Sequence, residues 1–343
     1  MQSILGTLHS WLRPTLVALF NRNVPWHLRW RLLLLQPISL LSYAVATGHS
    51  IFSRPFTVEH LTIGTGSSIR ALVHKAAGVG RGRKLRPLHV DIHGGSFIGG
   101  LPEGLSMFDD RIAKETGAVV VSITYRYAPE HVFPAAIDDV DATIKWLHEH
   151  AEARWGADPT LMTISGFSAG GNLAVAATQQ KNCHSPSPTA IKASVTFYAA
   201  IDLRLKPGEK PKPASFPKRD PMSVLFPLFD AYASSARATH PDDPRLSPVL
   251  AKRETLPERM LLVIPAIDIL VVEQTAFAER INDEDRQHGK TPRVEVLNDE
   301  KGFHGYLEVP NAVVTKEAKD EVFDRALTVL RETYEKHGWT WEG

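Results

Sequence analysis

The sequence predicts an α/β fold: a mostly parallel central sheet with helices on both faces, plus a lid made from N-terminal helices and an inserted segment. Three observations carry this. From about residue 56 onward, strand-like apolar runs alternate with helix-like segments. Runs such as "GAVVVSITYR" (117–126) are β-branched on both sides of the pleat, as strands buried on two faces require. Two stretches, 1–55 and 204–255, break the alternation and divide the core into 56–203 and 256–343. A chain of 343 residues is long enough for about two domains or one elaborated domain.

The first 58 residues contain Arg13, Arg22, Arg29, Arg31 and Arg54 but no acid, together with Trp11, Trp26 and Trp30. Residues 32–53 carry no charge for 22 positions. Gln36, Pro37, Ser39, Ser42, Thr47, His49 and Ser50 nevertheless make this a poor membrane span, and Arg13 interrupts any signal-peptide pattern. The favoured reading is helices packed over the main domain. Its rival is peripheral contact with a membrane surface through residues 1–55.

The core elements follow in order. "FTVEHLTI" and "SIRALVHKA" read as two strands joined by a Gly-Ser turn, and "LRPLHVDIH" as a third. A glycine-rich loop leads to a helix near 103–116, then to the buried strand "GAVVVSITYR". "PAAIDDVDATIKWLHEH" (134–150) has Pro134 near its start and Ile137, Val140, Ile144 and Leu147 on one face. The strands "LMTIS", "KASVTFYAA", "RMLLVIPA" and "RVEVLN" continue the alternation. A last helix near 316–336 lines up Ala318, Val322, Ala326 and Leu330. Residues 204–255 hold nine of the 24 prolines. Met222, Leu225, Phe226 and Phe229 have helical spacing there, although Pro227 would break or restart the helix. Recurring apolar residues favour a lid over a solvated linker.

A net charge of +1 gives no reason to expect a nucleic-acid partner. Cys183, the lone cysteine, permits neither an intrachain disulfide nor a cysteine metal cluster, which fits a reducing, cytoplasmic compartment.

"GFSAGG" (166–171) directly follows the apolar run "LMTIS". Glycines are common in strand-to-helix turns, but G-x-S-x-G also builds a strained turn that lifts a serine hydroxyl clear of the backbone. Ser168 would then need a base, and the base an orienting acid. Asp268 follows the strand "MLLVIPAI", and His304 lies in "KGFHGY" after the strand "RVEVL". Asp202 in "AAIDL" is a rival acid, and Glu273 a weaker one placed on a helix. Among 15 histidines, His304 is distinguished by its glycine-flanked loop after a core strand. Backbone N–H donors for an oxyanion are offered by Gly94, Gly95 and Ser96 in "HGGSF" and by Ala169 at the start of the following helix. The loop lacks Gly-Lys-Ser/Thr and the G-x-G-x-x-G spacing, which argues against phosphate binding. Phe97, Ile98, Met222, Phe226, Phe229 and Leu270 suggest an apolar substrate pocket.

Together "HGGSF", "YRYAPEHVFPAAIDD" (125–139), "GFSAGGNLA", "AID" (266–268) and "GFHGY" resemble the hormone-sensitive-lipase-like branch of the α/β-hydrolases, which includes many esterases and arylacetamide deacetylase. The resemblance covers roughly 84–310. It implies a triad of Ser168, Asp268 and His304, an oxyanion loop in which Ser96 replaces the third glycine, and scaffolding roles for Arg126, Glu130 and Asp138. The implied activity is hydrolysis of a small to medium apolar carboxylic ester, without metal or organic cofactor. Two alternatives stand beside it: acyl transfer, lactone opening or elimination on the same scaffold, and a ligand-binding module of the gibberellin-receptor kind. His304 disfavours the second, because those receptors lack the catalytic histidine.

Overall fold

A computed structural model describes residues 2–47, 54–64, 67–214, 216–218, 220 and 222–343. The expected Gly-Ser turn therefore lies partly outside the described residues, as do 48–53 of the N-terminal segment and 215, 219 and 221 of the inserted one.

Eight strands form the main sheet: β1 (Phe56–Ile63), β2 (Ser67–His74), β3 (Arg86–Ile92), β4 (Val119–Ile123), β5 (Ala157–Phe167), β6 (Ala193–Phe197), β7 (Arg259–Ile267) and β8 (Val294–Phe303). Their order is β1-β2-β4-β3-β5-β6-β7-β8. β2 pairs antiparallel with both of its neighbours, β1 and β4; from β4 to β8 every pairing is parallel.

Period-2 alternation assigns each face. In β7, Leu261 and Val263 join a cluster with α3 (Ser106–Thr116) and α8 (Lys316–Lys336). Met260, Leu262 and Ile264 face α7 (Val271–Gln287) on the other side. That second face also carries α4 (Ala135–Trp155) and α5 (Ala169–Ala177). The helix read at 134–150 thus runs five residues further, to a Gly156 cap in the left-handed region. The strand read at 293–298 continues to Phe303, so His304 opens the turn directly after the strand.

Two helices, α1 (Gln2–Phe20) and α2 (Trp26–Thr47), precede the sheet. Val17, Ala18, Val24, Leu28 and Leu32 pack into the core cluster that also holds Phe97, Leu228 and Tyr232. Arg13 pairs with Glu130 at 2.8 Å and lies over the Tyr127 ring. Arg29 donates to the carbonyls of Val24, Asn21 and Ala18, which satisfies the end of α1. In the inserted segment, a 3₁₀ turn at Ser223–Leu225 leads into the one-turn α6 (Phe226–Phe229). Pro227 sits in its first turn, where a missing N–H costs nothing. Among the described residues, no helix is long and apolar enough to cross a membrane.

Candidate active site

Ser168 occupies the single residue between β5 and α5, with φ 51° and ψ −112°. A non-glycine residue there is strained by about 1–3 kcal/mol, and the surrounding packing must hold it. The glycines explain how. A Cβ on Gly166 would lie 2.2 Å from the Gly170 carbonyl oxygen, and one on Gly170 would lie 2.0 Å from that of Ile92. Both positions must be bare for helix, strand and turn to close this tightly.

Ser168 Oγ lies 2.9 Å from Nε2 of His304, whose Nδ1 lies 2.8 Å from Oδ2 of Asp268. Because the aspartate oxygen accepts, Nδ1 carries the proton and Nε2 is the lone-pair nitrogen facing the serine. Asp268 Oδ1 accepts from the Leu270 N–H at 3.0 Å, which fixes the carboxylate. Sheet register places the pair: Ile267 of β7 stands opposite Phe303 of β8, past an irregularity at Pro265, so the next residues, Asp268 and His304, emerge side by side.

The imidazole lines a cavity and keeps about 42% of its side chain exposed. Burial is the largest influence on His304 and would lower its pKa, but the charges of Asp268, Glu308 and Glu273 together with the Asp268 hydrogen bond raise it above 6.5. Glu308, at the cavity wall, accepts from the Tyr198 hydroxyl. Desolvation lifts its carboxyl above the ordinary range, while that hydrogen bond opposes the shift.

The loop after β3 runs beside the serine: a Cβ on Gly94 would lie 3.5 Å from Ser168 Cβ. Gly95, Ser96 and Phe97 all have positive φ, at 117°, 52° and 61°. Among the described residues, no protein acceptor takes the N–H of Gly94, Gly95 or Ser96, and Ala169 begins α5, where the first amides are free. His93 shapes the loop, with Nδ1 donating to the Gly94 carbonyl at 2.7 Å and Nε2 lying 3.1 Å from the Tyr127 hydroxyl. Burial, the dominant influence, pushes His93 down to about 4, so it stays neutral.

The other acids are occupied elsewhere. Asp202 pairs with Arg204 at 2.7 Å and makes no bond to His304. Glu273 holds Lys210 of the inserted segment and accepts from the Asp202 N–H at 3.1 Å. Burial raises its carboxyl to about 7 despite the lysine. Arg126 binds Asp139, Glu130 binds Arg13, and Asp138 binds Arg245, so each braces a neighbouring segment rather than reaching the serine.

A cavity of about 840 Å³ opens at Ser168. Phe97, Ile98, Met222, Phe226, Phe229 and Leu270 all stand on its wall, as do Gly94, Gly95, Ser96 and Ala169. Phe97 is stacked on Tyr232 with centroids 4.1 Å apart, so it supports the wall more than it offers surface. Sequence reasoning did not single out Pro14, Leu32, Leu35 and Leu41 from α1 and α2, or Lys210 and Glu308. The signal for Glu308 was its place four residues past His304; the helix residues gave none, because their apolar spacing reads equally as core.

Residues 89–308 match the family described as the alpha/beta hydrolase fold. The chain is similar to carboxylic ester hydrolase LipN of Mycobacterium tuberculosis, with 30% identity over 57% of this chain and 52% of the relative. It is also similar to arylacetamide deacetylase of Oryctolagus cuniculus, with 31% identity over 53% of this chain and 50% of the relative. The chain thus matches only about half the length of these curated relatives. A thermophilic carboxylesterase from a metagenomic library superimposes with a TM-score of 0.66 and 25% identity, over 87% of this chain and 97% of that structure.

Proposed function

The chain belongs to the alpha/beta hydrolase fold family, and from that premise we propose that it hydrolyses carboxylic esters through an acyl-enzyme on Ser168. The observation that carries this reading is the continuous hydrogen-bonded line from Ser168 Oγ through His304 to Asp268. His304 Nε2 takes the serine proton as Oγ bonds the ester carbonyl carbon. The oxyanion is stabilised by amides drawn from Gly94, Gly95, Ser96 and Ala169. His304 returns the proton to the departing alcohol. It then deprotonates a water that attacks the acyl carbon, and Ser168 leaves with that proton. Asp268 holds the imidazole in its tautomer and stabilises the charged form. Ester hydrolases among the relatives support this choice of reaction.

In the same reading, α1, α2 and residues 204–255 act as the lid. They supply one wall of the cavity and exclude water from the developing charge.

A fluorophosphonate probe tests the assignment. It should label the wild type on the peptide containing Ser168 and leave Ser168→Ala unlabelled, with ester turnover lost by on the order of 10⁴-fold or more. Persistent labelling of Ser168→Ala would reject Ser168 as the nucleophile.

A further inference from the structure

The solvent side of the two N-terminal helices is apolar. On α1, Leu12, Leu16, Leu19 and Phe20 recur at helical spacing, and all are exposed. On α2, Trp26, Leu34, Pro37 and Leu41 do the same. The opposite sides, through Val17, Ala18, Leu28 and Leu32, are already committed to the core. Phe20 and Trp26 flank the turn between the helices and are each 74% exposed. Two helices that are apolar on both faces are not ordinary surface helices, and the outer face calls for a partner.

Charge identifies the partner. No acid precedes Glu59. Arg13 is neutralised by Glu130; among the described residues Arg29 and Arg31 donate to backbone carbonyls, which leaves their charge unneutralised, and Arg22 has no carboxylate partner. A two-fold pairing of this face with a second copy would set arginines against arginines with no acid between them. A bilayer surface with anionic headgroups complements that net positive charge, with Arg22 free to pair directly, and its apolar interior accepts the aromatic and leucine side chains. The face is also continuous with the cavity: Leu41 and Met222 are both exposed and both part of the cavity wall.

We propose that the outward face of α1 and α2 docks on an anionic lipid surface, and that the esters cleaved at Ser168 enter from that lipid phase. The second half rests on the esterase reading above; the first half does not.

The test is flotation of the 343-residue chain with phosphatidylcholine vesicles, with and without about one-third phosphatidylserine. Wild type and Ser168→Ala should both bind the serine-containing vesicles, less so as salt rises, and bind pure phosphatidylcholine weakly. Phe20→Asp combined with Trp26→Asp should weaken binding on the order of tenfold or more, and Arg22→Glu should weaken it by a smaller factor. With an unchanged melting temperature, the double variant should cleave a soluble acetate ester normally and lose turnover of a long-chain ester carried in the anionic vesicles. Equal binding to both vesicle types, or unaltered binding by the double variant, would overturn the docking proposal. So would concentration-dependent self-association abolished by those same substitutions. Because docking is also read in Ser168→Ala, a wrong catalytic assignment would appear as binding without turnover of any ester, a result that leaves the docking face standing and removes the lipid-ester half.

Discussion

The Tyr198 hydroxyl donates to Glu308 Oε2 at 3.1 Å, and the Tyr198 ring packs 5.2 Å from that of His304. This places a second carboxylate near the imidazole, on the residue's own loop, in addition to the Asp268 that it bonds. General-base action needs neutral His304, and the surrounding carboxylates favour the charged form, so its pKa lies above 6.5. The acidic limb of kcat/KM should therefore fall above pH 6.5, with activity lost as pH drops through the raised value. Stability runs the opposite way: the contribution from the charged imidazole is fully present below 6.5 and is lost as pH rises through the raised folded-state value. Glu308→Gln removes one of the charges and should move the limb toward lower pH. An unmoved limb would show that Glu308 does not act on His304.

Asp268 and Asp202 should separate cleanly. Asp268→Asn should fold yet lose about 10⁴-fold in turnover, because the imidazole is then held in the wrong tautomer. Asp202→Asn loosens only the partly exposed pair with Arg204, worth about 1 kcal/mol or less, and should keep activity within a few-fold. Steady-state kinetics on variants of matched melting temperature decide this; the reverse ranking would identify Asp202 as the orienting acid.

Leu35 of α2 stands on the cavity wall and is only partly buried. Leu35→Trp should occupy space in that arm without leaving a hole in the core. KM for a long-chain ester should rise by roughly 10-fold, within the range that one hydrophobic contact can discriminate, while an acetate ester is spared. Equal effects on both esters would mean that the acyl or alcohol chain does not run toward α2.

Beneath the site, fully buried Asp91 in β3 accepts from Ser165 of β5 and from Ser122 of β4, the latter at 3.3 Å. Burial, its largest influence, raises this carboxyl from 3.8 to about 7. Its contribution to stability is therefore full below pH 3.8 and lost as pH rises through 7. Asp91→Asn has nearly the same shape and cannot ionise. Its stability relative to wild type should improve between pH 4 and 7 by a few kcal/mol, at about 1.4 kcal/mol per pH unit, and then level off. Denaturant unfolding across that range measures it; a flat difference would show that Asp91 is already ionised in the folded protein.

The sequence determined what depends on near neighbours. The β-branched run 118–123 is a strand because those side chains suit a pleat buried on both faces. "GFSAGG" is a strand-to-helix turn because bare Gly166 and Gly170 are the positions where a Cβ would strike backbone. The glycines around Gly94 and Gly95 likewise marked a backbone that passes close to the serine. In each case the reason lies within a few residues, so composition and spacing expose it.

Tertiary structure decided what depends on which strands lie side by side. Ala-Ile-Asp occurs at 200–202 and again at 266–268, near the end of a core strand in each case, and the tripeptide itself does not distinguish the two aspartates. Asp268 reaches His304 because β7 pairs directly with β8, whereas Asp202 follows β6, one strand further away, and is claimed by Arg204. The cavity is of the same kind. Its wall combines Leu35 of α2 with Phe229 of the inserted segment and Leu270 beside α7, residues from distant parts of the chain that share one surface only after the core has closed. Pairing order and cavity shape arise from summed burial over the whole chain, and no short window of sequence contains that sum.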